Sequence, residues 1–287
     1  MNTVLISGSS GFVGSALKLE LKKLNFQIRT LVRRKPQNDF EFFWDPKRNN
    51  IDLNAFKNCD FVVNLSGENI FGLWTKSKKE RILKSRVLTT KLLVDSINSL
   101  ENKPKKIIST SAIGIYKPNT KLVLNEDSEI ADNFLANVCK SWENEITKST
   151  VPYSILRVPL VLGKGGGMIK FSYPFFKNYL GANIGNGKNY YSYINIDSLV
   201  SLYIKSFKED FPQIFNPVNG YTDSNTFNKE YVKKLNSKIF FRVPKFIPSL
   251  FLGKEFVNSI LVPDLKITSK FAYNENIKIS NCFNFLN

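Results

Sequence analysis

The chain of 287 residues contains no histidine. That absence excludes imidazole general bases, Ser-His-Asp triads and histidine-ligated metals. Cysteine is scarce as well. Cys59, Cys139 and Cys282 stand far apart and are odd in number, which suits neither a disulfide framework nor a zinc knuckle. No metal site is expected, and the pattern fits a reducing, cytoplasmic setting. No apolar run approaches the roughly 20 residues of a membrane span. The first residues pass straight into a strand-like run rather than a signal peptide, so no membrane partner is expected. Acidic residues are few, 24 against 41 basic ones, for a net charge of +17. Such a charge invites a nucleic-acid reading, but the lysines are dispersed and no recognition motif accompanies them. The densest group, Lys76, Lys78, Lys79, Arg81 and Lys84, reads as the solvated side of a helix. No specific nucleic acid is therefore expected, although the charge raises the local concentration of anionic cofactors and substrates.

Glycine is placed with more purpose. Val4-Leu5-Ile6-Ser7-Gly8-Ser9-Ser10-Gly11-Phe12-Val13-Gly14 runs from a buried-strand pattern into a helical one, with Val13, Leu17, Leu21 and Leu24 at helical spacing. A glycine turn between strand and helix lets a dinucleotide pyrophosphate approach the backbone and sit on the helix N-terminus. Gly8, Ser10, Gly11, Phe12, Val13 and Gly14 are read as that cradle, spaced G-x-x-G-x-x-G. The alternative is a set of glycines that only turn the chain and let helix pack on strand.

Further strand-like runs, Gln27–Val32, Phe61–Leu65, Lys106–Thr110 and Tyr153–Val158, alternate with helical patterns near Phe12–Leu24, Ser77–Leu100, Phe134–Lys148 and Asp197–Phe207. Several strands are continuously apolar, as parallel strands covered on both faces are. The fold class expected is α/β, a Rossmann-type doubly wound parallel sheet with a smaller C-terminal substrate lobe. Residues 1–163 form the nucleotide domain, with segments from 190–220 returning to its sheet, and 164–287 form the lobe.

The second strand ends Thr30-Leu31-Val32-Arg33-Arg34, with no carboxylate for the ribose hydroxyls. A guanidinium grips a 2′-phosphate, so Arg33, supported by Arg34, argues for NADP over NAD. Two solvated arginines are the alternative. Leu65-Ser66-Gly67 lets backbone approach a ligand at the carboxyl edge of the sheet, and Asp60 is either an adenine-pocket residue or a turn former. Ser77-x-x-Glu80 reads as a capping box. Along that helix Arg86 shares a stripe with Leu83, Thr90, Leu93 and Ile97, so it needs a ligand phosphate or an internal carboxylate. Ser109, Thr110 and Ser111 close a central strand where a nicotinamide and a substrate oxygen meet, though such a cluster also serves as turn chemistry.

Together these residues resemble the extended short-chain dehydrogenase/reductases, and more closely an atypical branch of NAD(P)-dependent, sugar-nucleotide epimerase type with a small C-terminal domain of unassigned role. The branch resemblance rests on Asn64-Leu65-Ser66-Gly67-Glu68, Trp74-Thr75, Ser85-Arg86, Thr89-Thr90, Ser109-x-Ser111-Ala112-Ile113-Gly114-x-Tyr116, Phe134-Leu135-Ala136, Cys139-Lys140-x-Trp142-Glu143, Arg157 and Leu162-Gly163-x-Gly165-Gly166. It implies NADP as cofactor and hydride chemistry on a small substrate, nucleotide-linked sugars included. Extended members carry Tyr-x-x-x-Lys after the Ser strand; here Val138 and Trp142 occupy the two positions, and Asn195 stands where relatives usually have histidine. With that pair gone, Ser111 is expected to bind the substrate oxygen and Tyr116 or water to move the proton, with Tyr191 and Tyr193 lining the pocket; for each of the three tyrosines, packing is the alternative. The rival reading is a non-catalytic NADP-binding sensor or interaction module. Either works as a monomer or homodimer.

Overall fold

A computed structural model describes residues 1–118, 121–238 and 241–286. Its first unit alternates strand and helix. β1 (Thr3–Ser7) is buried throughout, and α1 (Phe12–Lys23) buries Gly14, Leu17 and Leu21 against it. Leu24 caps that helix and is exposed. There follow β2 (Gln27–Val32), β3 (Glu41–Asp45), β4 (Asn50–Ile51), β5 (Phe61–Asn64), α2 (Lys76–Ser99), β6 (Lys106–Ala112), α3 (Phe134–Ile146) and β7 (Tyr153–Val158). The main sheet runs β4-β3-β2-β1-β5-β6-β7, extended at the far edge by β11 (Ile214–Phe215). Every pairing is parallel except β3 with β4. This is the doubly wound, Rossmann-type order. It steps one way from β1 and then the other way from β5, so a crevice opens above the carboxyl ends of those two strands.

The sheet is covered on both faces. One face packs Leu17 and Leu21 of α1 with Leu199, Leu202 and Tyr203 of α5 (Ile196–Lys205). The other packs Leu92, Leu93 and Ile97 of α2 with Leu5, Val62 and Ile107. Helix α2 starts two residues earlier than the Ser77 box predicts, because the Thr75 hydroxyl accepts from the Lys78 backbone N–H at 3.2 Å. Ser77 lies inside the helix and accepts from Arg81.

The C-terminal part has its own small sheets. β8 (Leu160–Leu162), β10 (Tyr190–Asn195) and β12 (Gly220–Asp223) form one, and β9 (Ala182–Ile184) pairs with β13 (Phe241–Val243). Helices α4 (Gly167–Lys177), α6 (Ser224–Lys234) and α7 (Phe246–Leu252) complete this part. Of the strands in the 190–220 segment only β11 pairs with the main sheet, while α5 covers its face. Among the described residues no helix is long and apolar enough to cross a membrane.

Candidate functional site

The three glycines do different work. Gly8 has φ +72, and a β-carbon there would lie 2.7 Å from the carbonyl of Leu65. At Gly14 a β-carbon would lie 2.4 Å from the Gly8 oxygen. These two let strand, turn and helix close on one another. Gly11 has ordinary extended backbone (φ −73, ψ 172), and its nearest contact would be the Gly8 oxygen at 3.3 Å. Positive φ is thus the property of Gly8, while Gly11 leaves open space above the turn. No side chain caps α1, and its first turn holds no acidic residue. Its leading N–H groups and the positive end of its dipole are left for an anion. Ser10 and Gly11 are exposed beside them. Val13 packs into the core, and the Phe12 ring lies against Gly163 and Gly166, so neither side chain faces the turn.

At the end of β2 the two arginines part. Arg34 makes a bidentate pair with Glu41, both contacts at 2.7 Å. Arg33 is exposed and has no hydrogen bond or ion pair among the described residues. Asp60 sits at the amino end of β5, where it accepts from the Thr3 N–H at 2.7 Å and pairs with Lys105. That is the wrong end of the sheet for an adenine pocket, and the residue is a strand-start anchor.

Leu65, Ser66 and Gly67 leave β5 over Gly8. Asn64 fixes their course: its side-chain oxygen accepts from Ser7 at 2.7 Å and from the Ser66 N–H at 3.3 Å, and its amide donates to Thr90. Arg86 fills the space beside Gly67, with a would-be β-carbon 3.1 Å from its guanidinium carbon. Half-buried Arg86 donates to the carbonyls of Glu68 and Ile82 at 3.2 and 3.1 Å, and among the described residues no carboxylate pairs with it. Burial pushes its pKa down, since desolvation penalises the charge. Of the two partners weighed for Arg86, an internal carboxylate is excluded.

Past β6 the expected chemistry is redistributed. Ser109 is buried, and Thr110 shares a hydrogen bond of 2.6 Å with Tyr203, which turns it toward α5. The buried Ser111 hydroxyl donates to Glu143 at 2.6 Å. Glu143 is in turn gripped by Arg157 at 2.9 and 2.8 Å. Removing one partner from a buried pair of this kind typically costs about 3–5 kcal/mol. Tyr116 is fully buried; its hydroxyl donates to Asn216 at 2.8 Å and accepts from Arg157 at 2.9 Å. Burial raises its pKa. With both hydrogen-bonding roles committed, Tyr116 has no free proton path to a substrate, and it belongs to the scaffold around Arg157. Tyr191 and Tyr193 likewise spend their hydroxyls on backbone carbonyls, those of Leu261 and Ile277.

On α3, Val138 and Trp142 are both buried. The Trp142 indole N–H has no partner among the described residues, and its ring lies beneath the Arg86 guanidinium, 5.3 Å away. Sequence reasoning did not assign roles to Trp142, Glu143 or Arg157. The readable signal was an arginine inside the apolar strand Tyr153–Val158, which demands a buried partner. Among the described residues no cluster of side chains suits a metal ion.

A family model described as the NAD dependent epimerase/dehydratase family matches residues 4–216. A chloroplastic homologue of the epimerase family protein SDR39U1 from Arabidopsis thaliana is 31% identical over 271 residues, covering 88% of this chain and 76% of the relative. The crystal structure of human SDR39U1 (isoform 2) with NADPH superposes with a TM-score of 0.81 at 25% identity, over 93% of this chain and 90% of that one. The UDP-glucose 4-epimerase of Thermotoga maritima shares the fold, with a TM-score of 0.77 at 14% identity over 99% and 97% of the two chains. A Rossmann sheet, a glycine turn under an uncapped helix and a family match over most of the length agree, and the chain belongs to the NAD dependent epimerase/dehydratase family as an atypical extended short-chain dehydrogenase/reductase.

Proposed function

We propose that this chain binds NADP(H) and acts as an oxidoreductase or epimerase on a small substrate. The observation that carries the reading is the pairing of an uncapped α1 N-terminus above Gly8, Gly11 and Gly14 with the unpaired Arg33 at the end of β2. The cradle fits a dinucleotide. The α1 N–H groups and Ser10 hold the pyrophosphate, Arg33 takes the 2′-phosphate, and Leu65, Ser66 and Gly67 form the opposite wall. The human relative's structure with NADPH supports the same choice. When bound, the nicotinamide supplies hydride transfer.

Ser111 is the residue assigned to the reacting oxygen. Its hydroxyl proton goes to Glu143, which leaves the oxygen lone pairs to accept from a substrate hydroxyl. Arg157 holds Glu143 in place and keeps that hydrogen bond aimed. Proton transfer in this reading runs through the Ser111–Glu143 pair or water, not through Tyr116.

The non-catalytic alternative is favoured by one observation, the burial of Val138 and Trp142 at the two positions where the family resemblance places the tyrosine–lysine pair. NADPH oxidation across a panel of aldehydes and ketones, run beside an NADPH binding titration, separates the two. Turnover lost in Ser111→Ala with cofactor binding intact supports the enzyme. Tight NADPH binding with no turnover on any panel member supports the sensor.

A further inference from the structure

The C-terminal part holds a cavity of about 680 Å³, within the range of sites that enclose small organic ligands. Its walls come from α4, β9, α6, α7 and the loop after β5, and they are aromatic and aliphatic: Phe71, Phe176, Phe227, Phe256, Ile184 and Met168 among them. The chain has 41 lysines and arginines, yet no charged side chain lines this space among the described residues. Of the five polar side chains that do, Ser172 and Tyr231 meet each other at 3.4 Å and the other three are turned on the rest of the protein. Ser224 donates to Asn189 at 2.8 Å, Asn228 to Asn183 at 2.7 Å, and Tyr191 to the Leu261 carbonyl.

The cavity is open. Phe175 and Leu180 line it while remaining 58% and 64% exposed, and the exposed Leu250 and Phe251 continue the apolar surface along α7. Its wall packs in one cluster with α3, at the position where the family resemblance places a tyrosine. Val138 belongs to one packed cluster with Trp74, and that cluster contains Phe71, Ile184, Leu252 and Phe256 of the cavity wall.

We infer that this cavity binds the substrate of the proposed site, and that the substrate is an uncharged molecule with a long hydrocarbon part, a fatty or isoprenoid alcohol or aldehyde, rather than a nucleotide sugar. The inference rests on the NADP(H)-dependent reading above. A diphosphate finds no counter-charge on these walls and would be desolvated without compensation. A hydrocarbon chain instead gains the transfer free energy of its buried area and dispersion contacts with the rings. The valine at this position of α3 has the same sense, since Val138 packs in one apolar cluster with the wall residues Phe71 and Phe256.

The test uses the full chain and N-phenylnaphthylamine, an uncharged probe that fluoresces in apolar surroundings. Saturable one-to-one binding is expected, displaced by hexadecanol and unaffected by UDP-glucose. Ala182→Trp fills the cavity from β9 and should weaken probe binding by about tenfold or more, with NADPH affinity unchanged in a parallel titration. Should that variant fail to fold by circular dichroism, Met168→Trp fills the space from α4 and carries the same expectation. Displacement by UDP-glucose, absence of saturable binding, or undiminished binding in a folded filled variant overturns the inference. NADPH binding without probe binding refutes the apolar substrate and leaves the cofactor reading standing. Probe binding without NADPH binding refutes the cofactor reading and, with it, the assignment of the cavity to a substrate.

Discussion

The guanidinium of Arg86 lies 5.3 Å above the Trp142 ring and, among the described residues, hydrogen-bonds to the carbonyls of Glu68 and Ile82. A cation held by a π-face and two neutral acceptors keeps most of its capacity for an anion. Arg86→Met keeps the apolar stem and removes a charge that has no carboxylate partner, so folding stability should change little. Affinity for NADPH or substrate should fall by about 1.5–3 kcal/mol, roughly tenfold to a hundredfold. Thermal melts with and without NADPH check this. A large drop in the apo-protein Tm with undiminished NADPH stabilisation would make Arg86 a packing residue.

Cofactor preference should rest on one arginine of the adjacent pair. Arg34 is tied to Glu41 in the neighbouring strand, whereas Arg33 is unpaired. Arg33→Ala should therefore remove most of the gap between NADPH and NADH, about tenfold to a hundredfold. Arg34→Ala should leave most of the gap in place. Quenching of tryptophan fluorescence by each cofactor measures both. Equal NADPH and NADH affinities in the unaltered chain would remove the 2′-phosphate role.

The glycine turn separates structure from binding. Gly8→Ala places a β-carbon on the Leu65 carbonyl at a positive φ, a strain of roughly 1–3 kcal/mol before the clash is counted. It should lower Tm. At Gly11 a β-carbon would lie 3.3 Å from the Gly8 oxygen, so Gly11→Val should keep the fold while blocking the pyrophosphate. Circular dichroism melts paired with NADPH titrations distinguish the two. Normal NADPH affinity in Gly11→Val would reduce the triplet to a packing turn.

Alkaline solution should unfold the protein through groups buried in their neutral form. Burial pushes Tyr191 and Tyr193 up to about 12 and the Cys139 thiol up to about 11, from ordinary values of 10.0 and 9.0. These folded-state values lie above the unfolded ones, so the unfolded chain releases its protons first as pH rises. The stability they contribute is complete below pH 9 and is lost progressively toward pH 11–12. Urea midpoints at about pH 8 and about pH 10.5 should differ accordingly. Phenolate absorbance should show tyrosines that ionise only with unfolding. A midpoint unchanged up to pH 11 would contradict the burial argument.

What was legible in the chain was whatever depended on local pattern. β2 and β7 have the bounds their sequences predict, and β5 and β6 differ only at their ends. The aromatic run Phe42-Phe43-Trp44 was not read as a strand, because it alternates with nothing and lies between charges; Phe42 and Phe43 pair with β2, Trp44 pairs with Ile51 of β4, and the core around Leu31 and Phe56 buries it. Arg33 and Arg34 look equivalent until the chain returns through Glu41. Tyr116 follows Ser111 closely in sequence, but a 3-10 turn at Ile113–Ile115 carries its ring inward to Arg157 and Asn216. The apolar cavity was beyond any local pattern, since its wall draws single residues from separate segments spanning Phe71 to Leu261.

The Phe12 ring, seated where a β-carbon at Gly166 would lie 2.1 Å away, gives two distant stretches of chain one shared tolerance. Phe12 opens α1, so a ring pushed aside by even one methyl group would tilt the helix end that faces the phosphates. Mutational drift at the lobe's glycine loop is therefore policed from the nucleotide side of the molecule. An alanine scan through 163–167 should register first as weakened cofactor affinity and only afterwards as loss of the lobe's own packing.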